Sequence, residues 1–165
     1  LMRKILDNSQ KETISLKEEL EATKLYLDLE AVRMEHKFDY NIMISDDIEP
    51  EDICLPPLIL QPFLENAIWH GINHKNGKGH LEIRFSRDVD NFEMIVIEVE
   101  DNGVGRQRAA EIRKTSTHKS YGLEITKGRI LGLDKRNQVE ILDLYDENSV
   151  GIGTKVLIKI TNRHD

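Results

Sequence analysis

Asn66 and His70 stand four residues apart in Leu60-Gln61-Pro62-Phe63-Leu64-Glu65-Asn66-Ala67-Ile68-Trp69-His70-Gly71. On a helix that spacing brings both side chains to one side, where they can reach a common point. Asn is a poor helix former, so an Asn inside a helix usually answers a requirement other than helicity. A second group, Glu100-Asp101-Asn102-Gly103-Val104-Gly105, follows an alternating apolar segment. Two glycines one residue apart let the backbone come close to a flat or charged ligand. Asp101 offers carboxylate oxygens to a donor such as an exocyclic amine. The third group is Ser120-Tyr121-Gly122-Leu123, where a helix start would aim backbone N–H groups at phosphate oxygens. Each group alone also has a plainer explanation: a solvated helix face, a turn, a helix that begins near a glycine.

Positioning these groups falls to the elements around them. Ser15-Leu16-Lys17-Glu18 forms a capping box and predicts a helix over residues 16 to about 35. Its apolar residues make two stripes, Leu16, Leu20, Leu27, Ala31 and Met34 on one side and Leu25, Leu29 and Val32 on the other. Such a helix wants two partners, either both inside one domain or one of them a further segment or chain. Phe38, Tyr40, Ile42 and Ile44 alternate with Asp39, Asn41 and Met43 as in a half-buried strand. Pro56 and Pro57 open an apolar helix that Pro62 kinks or restarts. Residues 81–87 and 92–100 read as a β-hairpin, 106–114 as a short charged helix, and Gly122 begins another helix. Residues 139–143 and 155–160 are predicted strands. That order predicts an α+β domain with helices on one face of a mixed or antiparallel sheet.

Composition narrows the classes. The 165 residues fit one domain, and 23 Lys and Arg against 30 Asp and Glu leave a net charge of −7. This balance gives no general attraction to a phosphate backbone and argues against a nucleic-acid binder. Cys54 is the single cysteine, so neither an intrachain disulfide nor a cysteine-based zinc site is available. No run of about 18 apolar residues occurs, so no direct membrane insertion is expected of this chain. The first residues also lack the apolar region of a signal peptide.

Taken in order, the three groups resemble the catalytic domain of the LytS/YehU-type sensor histidine kinases, within the ATP-binding superfamily shared by gyrase, histidine kinases and MutL. Pro56-Pro57-Leu58-Ile59-Leu60-Gln61-Pro62 leading into Glu65-Asn66-Ala67-Ile68 and His70-Gly71 is similar to that family's asparagine box. Asp101-Asn102-Gly103-Val104-Gly105 is similar to its first glycine box and Gly122-Leu123 to its second. Tyr26-Leu27-Asp28-Leu29-Glu30 with Arg33, and Gly153-Thr154-Lys155-Val156, extend the resemblance over roughly residues 15 to 161. It implies a two-layer α/β sandwich of the Bergerat type, preceded by a long N-terminal helix. Residues 1–36 would be the tail of the dimerisation and phosphoacceptor region, and 37–165 the ATP-binding catalytic domain.

By family role, Asn66 would coordinate Mg²⁺, with Glu65 a polar partner for Mg²⁺-bound water. Asp101 would accept from the adenine amine, and Gly103 and Gly105 would let the chain pass close to ATP. His70, Arg129 and Thr154 would complete the nucleotide contacts. Residues 106–121 would form a mobile lid hinged at Gly122 and Leu123. The resemblance implies phosphoryl transfer from ATP to a histidine on a separate acceptor region of the same receptor. It further implies a response regulator downstream, a homodimer in the full-length protein, and a cytoplasmic position in a bacterial inner-membrane receptor.

Several positions depart from the family pattern. Trp69 stands where Lys is frequent, Ser120 where the second glycine box opens with Gly, and Ile125 where Asn is frequent. A phosphate-directed cation is lost at residue 69, leaving Lys75, Lys119 or Lys127 to compensate. No Asn-Pro-His-Phe-like acceptor stretch is present, and the flanks of His36 do not match one. The expectation is therefore a piece of a longer receptor, a kinase domain without its acceptor. Trp69 and Ser120 keep open a second reading, a nucleotide-sensing pseudokinase. An ATP-hydrolysing member of the superfamily is a third.

Overall fold

The computed structural model describes residues 11–113 and 121–163. Five strands form one sheet in the order β2-β4-β5-β7-β6, with β2 Phe38–Ile44, β4 Gly79–Arg87, β5 Met94–Asp101, β6 Gln138–Tyr145 and β7 Gly151–Thr161. The pair β2–β4 is parallel, in register from Phe38 opposite Gly79 to Ile44 opposite Phe85, and the other pairs are antiparallel. Parallel neighbours need a long crossover, usually helical. That crossover carries α2, Gln61–Glu65, which runs on as a π-helical turn, Asn66–Gly71, and a 3₁₀ turn, Ile72–His74. The fold thus lays the Asn66 segment across the sheet.

One sheet face is apolar and buried, through Leu81, Ile83, Phe85, Ile95, Ile97, Val99, Val156, Ile158 and Ile160. The helices cover it: α1 (Leu16–Arg33) with Leu16, Leu20 and Leu27, the crossover with Phe63, Leu64 and Ile68, and α4 (Tyr121–Leu133) with Leu123 and Ile130. The opposite face carries a ladder of charges, Arg84 bridging Glu82, Glu98 and Glu100 and Lys155 reaching Glu98. These half-exposed pairs add little stability each, but they keep that face in water. The result is the expected two-layer α+β sandwich with helices on one face of a mixed sheet.

The N-terminal helix is present in part. Ser15 caps it as expected, the Glu18 amide donating to Ser15 Oγ at 3.2 Å and Glu18 Oε2 accepting from the Ser15 amide at 3.0 Å. It stops at Arg33, because Glu35 and His36 take left-handed φ of 52° and 58° that no α-helix accommodates. Of its two apolar stripes, one is buried on the sheet, while Leu29 and Val32 are exposed and Leu25 is half-buried. Pro56 and Pro57 do not open a helix. Leu58 has φ of 56°, so the helix begins only at Gln61, with Pro62 in a first turn that needs no N–H. A ribbon of two residues each, β1 (Ile14–Ser15) on β3 (Cys54–Leu55), was too short for any alternation to announce. The short helix after Gly105, α3, spans Arg106–Arg113. Residues 114–120 of the expected lid, Lys119 and Ser120 among them, lie outside the described residues.

Candidate nucleotide site

Asp101 ends β5 at the rim of the sheet and is almost fully buried, with 4% exposure. Its Oδ1 accepts from the Gly103 amide at 2.8 Å, and the Thr154 amide, opposite it on β7, also donates to the carboxylate. Burial outweighs these donors and pushes the Asp101 carboxyl up to about 7. A buried acid poised near neutrality at the edge of a cleft is a binding-site signature.

The asparagine segment meets the glycine loop backbone to backbone. The Val104 amide donates to the Gly71 carbonyl at 3.2 Å. A methyl group on Gly103 would lie 2.3 Å from the Gly71 carbonyl carbon, and one on Gly71 would lie 2.8 Å from Asp101 Oδ1. No side chain fits between these two turns. The π-helical turn matters here as well: the Ile72 amide donates to the Ala67 carbonyl five residues back, a wider turn than an α-helix makes. Such turns recur at functional sites.

Asn66, His70, Gly71, Asp101, Gly105 and Thr154 line one small cavity, closed from the outside by Arg106 and Ala109 of α3. Its volume is about 10 Å³, room for about one water molecule. Arg106 grips Asp143 on β6 through two bonds, Nε to Oδ1 at 2.6 Å and Nη2 to Oδ2 at 2.7 Å. This bidentate pair holds the Asp143 carboxyl below its ordinary range. On the far side of Arg106 lies an open cleft of about 480 Å³, lined in part by His74, Lys75, Asn102, Gly103 and Tyr145. Gly105 and Arg106 line both spaces, so the start of α3 is the wall between them.

Five of the expected site residues therefore converge: Asn66, His70, Asp101, Gly105 and Thr154. Gly103 sits behind them, in the wall of the larger cleft. Others are elsewhere. Glu65 is exposed and accepts from Gln61 Nε2 at 2.9 Å, because a helix turns its neighbour of Asn66 outward. Arg129 donates to the Pro57 carbonyl at 2.7 Å, in a groove with Pro56 and Leu133. Gly122 faces Pro62 and Leu123 enters the core, and neither lines the cavity. Trp69 packs against the core with the Arg33 guanidinium 5.2 Å over its ring. Lys75 stands in the larger cleft, its Nζ donating to the Asn102 carbonyl at 2.7 Å. Arg106 and Ala109 fall within the expected lid, residues 106–121, although neither stands out by itself as a site residue in the sequence. Their spacing of three after a glycine turn puts both on one helix face, the signal that would have placed them over the site.

Among the described residues no group of three or more His, Cys, Asp and Glu is placed to hold a metal ion. Asn66 offers a single oxygen. That donor set suits an ion such as Mg²⁺, which keeps several waters and takes most other oxygens from a substrate's phosphates.

The family model of the histidine kinases ("Histidine kinase") matches residues 1–38. YwpD, an uncharacterised protein of Bacillus subtilis, is 32% identical over 118 residues, 70% of this chain and 41% of YwpD. The sensor protein LytS of Staphylococcus epidermidis is 32% identical over 103 residues, 62% of this chain and 17% of LytS. The sensor histidine kinase/phosphatase LytS of Staphylococcus aureus is 27% identical over 132 residues, 78% of this chain and 22% of that protein. The chain is a homologue of the LytS sensor histidine kinases. It spans well under half the length of these relatives.

The fold is that of histidine kinase catalytic domains. The mycobacterial sensor histidine kinase MprB superposes with a TM-score of 0.61 at 13% identity, covering 93% of this chain and 99% of that one. A nucleotide-free catalytic domain of the histidine kinase ThkA gives 0.59 at 14%, covering 93% and 97%. ThkA in complex with its response regulator TrrA gives 0.56 at 16%, covering 98% and 46%. Among the described residues no helix is long and apolar enough to cross a membrane.

Proposed function

We propose that this chain is the ATP-binding catalytic domain of a two-component sensor histidine kinase. The observation that carries the reading is the convergence of Asn66, His70, Asp101 and Thr154 on one cavity between helix layer and sheet. The donor chemistry fits Mg²⁺-ATP: a buried carboxylate for an amine, an amide oxygen for a hard cation, and a backbone passage without side chains. Fitting the base requires α3 to swing outward, because Ala109 and Arg106 occupy its approach.

In this reading Asp101 orients the adenine by accepting from its amine. Thr154 and Gly103 hold that carboxylate in place through their amides. Asn66 holds the cation that neutralises the phosphates, and Lys75 adds charge from the larger cleft. Bound Mg²⁺-ATP supplies the γ-phosphoryl group, whose transfer depends on positioning and charge neutralisation. The recipient is a histidine on a separate region of the same receptor, and a response regulator acts downstream, as TrrA pairs with ThkA. The family-model match over residues 1–38 supports α1 as the tail of the dimerising acceptor region, with residues 37–165 as the catalytic domain. The full-length protein is then a homodimeric inner-membrane receptor with this domain in the cytoplasm.

Calorimetric titration with Mg²⁺-ATP tests the assignment. Asn66→Ala is expected to lower affinity at least about tenfold, roughly 1.4 kcal/mol, and to erase the difference between titrations with and without Mg²⁺. An unchanged affinity sinks the role of Asn66. One observation favours the pseudokinase reading: Trp69, engaged by Arg33, presents no cation to a phosphate. Binding of ATP without labelling of a supplied acceptor region decides for it.

The wall formed by Arg106 gives a further expectation. Asp143→Asn frees Arg106 from an exposed ion pair worth under about 1 kcal/mol, so α3 opens more often. ATP association should quicken about two- to fivefold in stopped-flow measurements, with apparent affinity rising by a similar factor. An unchanged association rate would mean that the pair does not hold the site shut.

A further inference from the structure

Glu19 lies in α1, among residues that otherwise read as a surface helix, yet it is 1% exposed. Its carboxylate accepts from two amides about 40 residues further along the chain. Oε2 takes the Leu58 amide at 2.8 Å and Oε1 the Leu60 amide at 3.2 Å, while the Ile59 amide also points to it. Three successive amides converge because Leu58 takes the left-handed φ of 56°, a conformation that costs a branched residue energy. Something must hold the turn there, and the carboxylate does.

The turn is the doorway to Asn66. Leu60 precedes the first residue of α2 and has no side-chain cap of its own, so Glu19 supplies from another helix what a capping residue supplies locally. Arg129 of α4 closes the junction from the other side. Its guanidinium donates to the Pro57 carbonyl and acts favourably on the Glu19 charge. At its far end α1 touches the same crossover again, where Arg33, held by Glu30 at 3.2 Å, lies over Trp69. The Asn66 segment is therefore gripped by one helix before and after Asn66.

We propose that Glu19 is a positioning residue through which α1 sets the seat of Asn66 for the cation, an inference that rests on the ATP-binding reading above. A shift of α1 along its axis then moves the Leu58–Leu60 turn and, with it, Asn66. Asp101, on β5, stays where the sheet holds it. The chain thus contains a route by which a displacement of the N-terminal helix changes cation and phosphate handling while leaving recognition of the base alone.

That separation is the test. Mg²⁺-ATP and adenosine are titrated into the wild-type chain, Glu19→Ala and Glu19→Gln, with thermal unfolding followed in parallel. The proposal expects Glu19→Ala to lose about tenfold in Mg²⁺-ATP affinity with adenosine affinity unchanged. Glu19→Gln keeps one acceptor oxygen and is expected to lose about threefold, which carries the test if the alanine variant does not fold. Hydrogen exchange at the Leu58 and Leu60 amides should quicken in both variants. A lower unfolding temperature with both affinities at the wild-type value overturns the proposal and leaves Glu19 a structural residue. An equal loss for both ligands overturns it too. Wild-type chain that binds neither ligand brings down the ATP-binding reading itself.

Discussion

Gly103→Ala is expected to cost about 3 kcal/mol of stability, the upper end of what an inserted methyl does in a packed interior. The methyl would stand 2.3 Å from the Gly71 carbonyl carbon and 2.5 Å from its Cα. These are backbone atoms of a hydrogen-bonded turn, so no rotamer change relieves the clash. Either the glycine loop lifts off, losing the bond from the Val104 amide to the Gly71 carbonyl, or the π-helical turn shifts and takes Asn66 with it. For a chain of this size the loss corresponds to a fall of about 6–12 °C in the unfolding temperature. Gly71→Ala is the instructive contrast. Its methyl meets the end of the Asp101 side chain at 2.8 Å, which can give way by loosening its bond from the Gly103 amide. That variant should lose less stability and more ligand affinity. Calorimetric unfolding of the two variants checks the ordering, and a Gly103→Ala protein as stable as wild type would mean that the two turns are not in contact.

The same pair of turns explains what was readable beforehand. Asp101, Gly103 and Gly105 sit within five residues, and Asn66 and His70 within one helical turn, so local spacing was enough to mark them. The strands were legible for a similar reason: Phe38, Tyr40, Ile42 and Ile44 face one layer, and their alternation is written directly in the chain. What escaped depends on distant partners. Glu19 looks like any solvated helix Glu until Leu58 and Leu60 bring it their amides. Arg129 donates to the Pro57 carbonyl 72 residues away, a partner that no local spacing announces. The π-helical turn at Asn66–Gly71 differs from an α-helix by one residue in its bonding, a difference that no apolar periodicity reports. The second stripe of α1 is legible in the spacing of Leu25, Leu29 and Val32, yet only the fold tells that Leu29 and Val32 face outward and Leu25 is half-buried.

Asp101→Asn should strengthen the fold while weakening the site. The Asp101 carboxyl titrates near 7 in the folded chain, against an ordinary 3.8. From about pH 4 to about pH 7 the folded state therefore holds a proton that the unfolded state has released. Stability falls as pH rises through that window, and above it the full penalty of a buried carboxylate remains. Asn carries no charge to bury and keeps one oxygen for the Gly103 and Thr154 amides. The variant should be more stable than wild type at about pH 8, by on the order of 2 kcal/mol, with the advantage shrinking toward about pH 4. Ligand binding moves the other way. The carboxylate accepts from an amine as a charge-assisted bond worth about 1.5–3 kcal/mol, so the variant should bind about 10- to 100-fold more weakly. In wild type, affinity for adenosine, which has no group titrating between about pH 5 and about pH 8, should fall below about pH 7 as Asp101 takes up its proton. Asp101→Asn should lack that dependence. Flat profiles for both proteins would remove Asp101 from base recognition. A variant that gains stability and keeps full affinity would mean that burial of this acid serves some end other than the ligand.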